Sequence, residues 1–230
     1  MKHGFWDWVP YYWRFRHVAP RGTALKALAA LEPTATKTQN NQTPAQTLKT
    51  SGNQLIVDLG TGQGTDALAF LQAGWHVMAV DVSRASLWIT RYRAIRHRLN
   101  HKLNCIQSPL EELAFPPCAG VNASFSLPFS APEVFPDMWP RLVEALPPGG
   151  VFAGQFFGLN DTWASTPMVT NPTWHIGQED LEKLFEKFTI LDLKETDQPG
   201  KTPKDPKKEK FAKKRLEKHW HVYHIVARKK

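Results

Sequence analysis

Along residues 54–193, short continuous apolar runs alternate with segments whose apolar positions recur at helical spacing. Leu55-Ile56-Val57-Asp58-Leu59 predicts a strand, and Thr65 to Ala73 predicts a helix. Trp75 to Val80 is a second expected strand, and Asp81 follows it directly. Ser83 then caps a helix expected to reach about Asn100. Leu87, Thr90, Ala94 and Leu99 fall near one face of it, opposite several arginines. Further strands are expected near Leu103 to Gln107 and over Gly120 to Phe125. A helix beginning near Pro132 carries Met138, Leu142 and Leu146. It stops at Pro147-Pro148-Gly149-Gly150, which cannot continue it. Val151 to Phe157 is the fifth strand. Gln178 to Phe188 reads as a helix, and Thr189 to Leu193 and His219 to Ala227 as the last strands. Alternation of this kind predicts a parallel sheet with helices on both faces.

The flanks have a different texture. Residues 1–31 open with Trp6, Trp8, Tyr11, Tyr12, Trp13 and Phe15 and close with a helix-like run from Ala24 to Leu31. We read them as a cap segment, which either covers a ligand cleft or packs on the sheet edge. Residues 32–53 are rich in Thr, Gln and Asn and read as a flexible polar linker. Residues 54–230 then form one domain with a basic loop at 199–217, and 230 residues suffice for a full core. No apolar stretch approaches the roughly 20 residues of a membrane helix. The start, Met1-Lys2-His3-Gly4, is not followed by the pattern of a secretory signal. A cytoplasmic protein without membrane association is therefore expected, its Cys105 and Cys118 free thiols.

The net charge of +8 sits in two places. Lys201 to Lys218 carries a local +6, and Val82 to Leu110 carries six Lys or Arg with no acid. Two basic segments on a mildly acidic body suit a nucleic acid or another anionic partner. They equally suit a solvated helix face and a lysine-rich loop. Neither segment is read as interleaving aromatics in the manner of a single-strand binding track.

The chemistry concentrates at Asp58-Leu59-Gly60-Thr61-Gly62-Gln63-Gly64-Thr65. Strand, glycine turn, helix, strand and acid make the front half of a nucleotide-binding βαβ unit. A dinucleotide fingerprint places its third glycine three residues after the second, and that position here is Thr65. Gly60, Gly62 and Gly64 alternate instead. This resembles the first motif of the class I S-adenosylmethionine-dependent methyltransferases. The resemblance implies a Rossmann-like α/β fold: a seven-stranded, mostly parallel sheet with helices on both faces and its last strand antiparallel. It implies S-adenosylmethionine as cofactor, the glycine turn meeting its amino-acid tail and ribose, and Asp81 accepting from both ribose hydroxyls. Carried onto this chain, the cofactor residues are Asp58, Gly60, Thr61, Gly62, Gly64, Asp81, Val82, Gln107, Ser108, Leu110 and Asn122.

Asn122-Ala123-Ser124-Phe125-Ser126-Leu127-Pro128-Phe129, the run from Phe152 to Gly158, and the closing Lys218 to Arg228 look like a narrower bacterial branch. That branch is related to the tellurite-resistance methyltransferases. The likeness spans about residues 54–230 and is weakest at 194–217. Three features depart from it: the lysine-rich turn, the linker, and Gln107-Ser108-Pro109-Leu110 where many members carry an acid for the adenine amino group.

Methyl transfer needs alignment first, and a general base helps only oxygen or nitrogen nucleophiles. The sequence contains no obligatory catalytic constellation. Trp163 and His175 lie in the irregular stretch from Gly158 to Gly177 expected over the substrate side, with His175 the one candidate base. Gln155, mid-strand, reads as substrate contact or buried support. His219 and His221 share a strand face and are kept as substrate candidates. A metal between them is not favoured, since zinc normally takes three or four protein ligands. The expected activity is methyl transfer to a small-molecule acceptor: a thiol, a chalcogen oxyanion or a similar compact compound. The alternatives are a nucleic-acid methyltransferase using the basic segments and a non-catalytic S-adenosylmethionine-binding protein.

Overall fold

A computed structural model describes residues 18–31, 54–165, 173–201 and 217–230. The aromatic head from Trp6 to Phe15, the linker at 32–53 and most of the basic loop lie outside them. Strands β1 (Leu55–Leu59), β2 (His76–Asp81), β3 (Leu103–Gln107), β4 (Gly120–Ala123) and β5 (Val151–Gly158) run parallel. Next come β6 (His175–Ile176), β7 (Phe188–Lys201) and β8 (Glu217–Lys229). The sheet order is β3-β2-β1-β4-β5-β8-β7, with the two-residue β6 beside β5 and β8 antiparallel to both its neighbours. The expected seven strands with one antiparallel are thus present, and β6 is an addition.

The order reverses between β1 and β4, so their carboxyl ends open a crevice where open α/β sheets bind ligands. All five residues of β1 are buried, because both sheet faces are covered. The helices are α1 (Gly22–Ala30), α2 (Thr65–Gln72), α3 (Arg84–Arg96), α4 (Phe135–Ala145), α5 (Thr162–Ser165) and α6 (Gln178–Leu184). Ala24, Ala27 and Leu31 of the first helix segment bury in one core with Ile56, Phe70 and Val151. The opposite core is aromatic, with Phe135, Trp139, Phe152, Phe156 and Phe185 in mutual contact.

Three expectations need correction. The α3 helix stops at Arg96, short of Asn100. Arg98 turns to φ +60° while Leu99 N–H reaches Ala94 O, the wiring of a Schellman end that the residue type did not announce. The α6 helix ends at Leu184, and Phe188 opens β7. A short apolar run fits either period, and pairing with β8 decides it, extending β7 to Lys201. Finally, the α3 arginines do have aromatic company. Trp88 and Tyr92 are 62% and 50% exposed and stack at 5.7 Å among the exposed Arg84, Arg91 and Arg96.

The β5–β8 seam contains a buried ion pair. Lys218 Nζ donates to Asp161, and both side chains are fully enclosed. The ammonium also lies 4.4 Å from the Trp163 ring centroid and 4.3 Å from that of Trp220. Asp161 further accepts from Trp163 N–H and His221 N–H, so it fastens the loop after β5 to β8. Lys218→Met leaves that carboxylate buried and uncompensated. Chemical denaturation is expected to show a loss of about 3–5 kcal/mol, partly restored by adding Asp161→Asn.

Candidate functional site

The glycine turn needs glycine at both ends. Gly60 (φ +66°) and Gly64 (φ +71°) are left-handed. A Cβ on Gly60 would meet Ser126 Cβ at 2.6 Å, and one on Gly64 would meet Thr90 at 2.6 Å. The turn is therefore clasped between the loop after β4 and the inner face of α3. From that face Thr90 Oγ1 reaches Gly62 O at 3.3 Å, and Arg93 donates to Gln63 O at 2.8 Å and Thr65 Oγ1 at 3.0 Å.

Beneath the turn lies a buried polar tie. Asp58 Oδ2 accepts from Thr61 Oγ1 at 2.6 Å, and Asp58 Oδ1 accepts from Asn122 Nδ2 at 2.7 Å. The same Asn122 nitrogen donates to Asp66 Oδ2 at 3.2 Å, and Asp66 Oδ1 accepts from Arg21 N–H at 2.8 Å. Burial, and then the Asp66 charge, push the Asp58 carboxyl up to about 7. Both amide hydrogens of Asn122 are committed inside the protein, and Ser124 Oγ donates to its carbonyl at 3.3 Å. Asn122 thus positions Asp58 and Asp66.

Asp81 ends β2 beside the turn. It accepts from Gly62 N–H at 2.9 Å, Ser83 N–H at 2.8 Å and Ser86 Oγ at 2.8 Å. Burial raises its pKa, and these three donors oppose the rise. An ionised carboxylate offers about four acceptor positions. The single Ser86 hydroxyl hydrogen also reaches Gly62 O. When it turns there, Asp81 regains an acceptor position for a ribose hydroxyl. On that count the residues present fit the cofactor's ribose. Ser108 N–H donates to Asp81 O at 3.3 Å, and Gln107 Nε2 donates to Val82 O at 3.2 Å. Those bonds bring Val82, Gln107 and Ser108 together beside Asp81, while Leu110 packs against the aromatic core.

The other side of the crevice is aromatic. Phe157 at the end of β5 has Phe129 at 5.7 Å, Trp163 at 5.4 Å, His175 at 5.8 Å and Phe125 at 6.4 Å between ring centroids. Among the described residues, buried side-chain polar atoms without a partner are Ser126 Oγ, Trp163 Nε1, Thr173 Oγ1 and His175 Nε2. All four belong to segments following β4 or β5 or leading into β6. Folded proteins rarely leave such atoms unpaired, and water, an ion or a ligand completes many of the exceptions. Gln155 is support: its amide donates to Thr23 Oγ1 at 2.8 Å, and its carbonyl accepts from Phe125 N–H at 2.9 Å.

The rings of His219 and His221 pair across the hairpin with Asp197 at 2.5 Å and Glu195 at 2.8 Å. Glu195, Asp197 and His221 lie close enough to suggest an ion. However, His221 Nδ1 accepts from Asn160 N–H at 3.0 Å, so Nε2 carries the ring hydrogen and donates to Glu195. A neutral ring so used has no lone pair left for a metal. Sequence reading missed Asp66, Ser86, Thr90, Arg93 and Ser126. Only Ser86, three residues after the Ser83 cap, had a local signal.

The fold is that of the class I S-adenosylmethionine-dependent methyltransferases. Residues 56–150 match a methyltransferase-domain family. Among solved structures, TehB from Haemophilus influenzae shares the fold at a TM-score of 0.68 and 15% identity, over 96% of this chain and 66% of that one. This chain therefore spans just under two thirds of that protein's length. The 1,6-didemethyltoxoflavin-N1-methyltransferase of Burkholderia thailandensis, solved with its acceptor and S-adenosylhomocysteine, aligns at a TM-score of 0.53 and 18% identity. That alignment covers 98% of this chain and 86% of the other. At such identities the likeness carries the fold and not the acceptor. No curated protein matches the sequence. Among the described residues no helix is long and apolar enough to cross a membrane.

The raised Asp58 has a consequence for stability. Its carboxyl is neutral in the folded protein up to about pH 7 but ionises from pH 3.8 when unfolded, so folding binds a proton between those values. Stability is complete below that window and is lost as pH rises through it. Thermal melts of the free protein are expected to fall from pH 5 to pH 8 by on the order of 2 kcal/mol, and Asp58→Asn is expected to flatten the slope.

Proposed function

We propose that this enzyme methylates a small-molecule acceptor through an oxygen or nitrogen atom whose proton passes to His175. The observation that carries this is the state of the His175 ring. Its Nδ1 lies 3.0 Å from Thr173 O, and a carbonyl only accepts, so Nδ1 holds the hydrogen and Nε2 presents a bare lone pair. Burial lowers the His175 pKa below its ordinary 6.5, which keeps the ring neutral and basic at pH 7. Bound S-adenosylmethionine supplies the activated methyl group. Asp81 and the Gly60–Gly64 turn would hold it, and Phe125, Phe129 and Trp163 line the acceptor's side. A thiol or chalcogen oxyanion, the other acceptors that the sequence suggests, would leave this base without a task. The solved relative acting on 1,6-didemethyltoxoflavin supports a compact acceptor, and the two free cysteines suit a cytoplasmic setting.

His175→Asn is expected to lower methyl transfer by about 10²–10⁴-fold while S-adenosylhomocysteine affinity, measured by calorimetry, holds. The wild-type rate should rise with pH through a pKa below 6.5 and stay level above pH 7. Retained activity in the variant, or a rate still climbing between pH 7 and 8, would overturn the base assignment.

A second reading has its own observation. The stacked Trp88 and Tyr92 among Arg84, Arg91 and Arg96 suit single-stranded nucleic acid, which offers bases to stack and phosphates to pair. If it is correct, a labelled oligo-uridine binds at 50 mM salt and loses affinity steeply by 200 mM, and Trp88→Ala abolishes binding. Absence of binding at 50 mM removes this reading.

A further inference from the structure

The acceptor's class follows from how charge and hydrogen bonding are arranged around Phe157. We infer that the acceptor is an uncharged, flat ring compound carrying an N–H or O–H beside a lone-pair acceptor. This rests on the methyltransferase reading above and narrows it. Two buried atoms at this site are of opposite kind: His175 Nε2 accepts, and Trp163 Nε1–H donates. Both rings stand within 6 Å of Phe157 by centroid, with Phe129 5.7 Å from Phe157 and 6.0 Å from Trp163. A ligand edge with one donor and one acceptor completes both atoms, and its ring meets aromatic walls.

Charge excludes the main competitor. An oxyanion or thiolate held away from water needs a cation to compensate it. The cation beside Trp163 and His175 is Lys218, already bound to Asp161 and donating to His219 O at 3.0 Å, while the exposed Arg21 lies 4.9 Å over the Phe125 ring. Around His175, Asp161 from the loop after β5 favours the protonated ring. Lys218 from β8 disfavours it, and the Thr173 carbonyl fixes the tautomer. Next to His175, this carboxylate and ammonium leave no net charge for an anion to answer.

The reaction balances with these groups. The acceptor's lone pair forms the new bond to the methyl carbon, and the pair of the breaking carbon–sulfur bond stays on sulfur. The acceptor's proton moves to His175 Nε2 and thence to solvent.

The test uses the full chain saturated with S-adenosylhomocysteine, whose binding is measured in the same sample. Four probes are titrated: 2-pyridone, its N-methyl derivative, tellurite and thiophenol. The Trp163 indole N–H resonance is the readout, assigned by its disappearance in Trp163→Phe. 2-Pyridone is expected to shift that resonance, and N-methyl-2-pyridone, which lacks the hydrogen, to bind more weakly. Lowering the pH through the His175 pKa, which burial holds below 6.5, protonates the ring and should weaken 2-pyridone binding several-fold. In Trp163→Phe, affinity measured by calorimetry should fall about three- to tenfold. Tellurite or thiophenol shifting the resonance more than 2-pyridone, or binding that strengthens as pH falls, overturns the inference. So does a silent resonance with all four probes. In that case S-adenosylhomocysteine binding leaves the enzyme class standing, and failure of S-adenosylhomocysteine to bind would count against the class itself.

Discussion

The structure depends on one amide between two acids. Asp58 and Asp66 lie under the glycine turn in a place that water barely reaches, and two carboxylates so placed repel each other. Asn122, directly across the β1–β4 pairing from Asp58, donates to both. A lysine there would neutralise the pair but fill the crevice, and a hydrophobic side chain would leave both acids unpaired. The amide supplies two donors and no charge. Through Thr61 and Arg21 the same tie reaches the glycine turn and the chain leading into α1. Four segments distant in sequence thereby meet where the sheet order reverses.

What the tie fixes from below, α3 fixes from the side. Ser86, Thr90 and Arg93 face inward and take up the carbonyls of Gly62 and Gln63 and the hydroxyl of Thr65. Of the turn's amides, Thr61 N–H goes to Val80 O, Gly64 N–H to Thr61 O and Gly62 N–H to Asp81. The outward face of the same helix carries the arginines and the Trp88–Tyr92 stack. A basic segment in sequence is therefore two things in space. One of its six charges, Arg93, holds the cofactor loop, and the exposed ones face solvent.

Much of the cofactor half was legible because its signals are local. Glycines at alternate positions, acids at strand ends and β-branched runs report conformations that neighbouring residues dictate. Asp58, Gly60, Gly64 and Asp81 could be singled out in that way. Asp66 could not, because an acid in a helix's first turn is ordinary and only the fold brings it to Asn122. The ends of α3 and α6 were misjudged for a related reason. Arg98 closes its helix in a conformation that glycine usually takes, and Phe188 belongs to whichever element finds a partner first.

The acceptor half was least legible, since its charge is set by residues 57 positions apart. In sequence, Lys218 looks like the last charge of a lysine-rich loop, and Asp161 like a turn residue. Folding removes both from water and joins them between Trp163 and Trp220. A chain with a net charge of +8 thus encloses Lys218 only with the carboxylate that cancels it. Net charge describes what approaches the surface, while the reaction is governed by the few groups that folding encloses. With that cation cancelled, the proposed acceptor site leaves orientation to two nitrogens, the indole of Trp163 and the imidazole of His175. On that proposal their opposite hydrogen-bonding sense would give the acceptor a direction, with the edge that meets both presenting its hydrogen to His175.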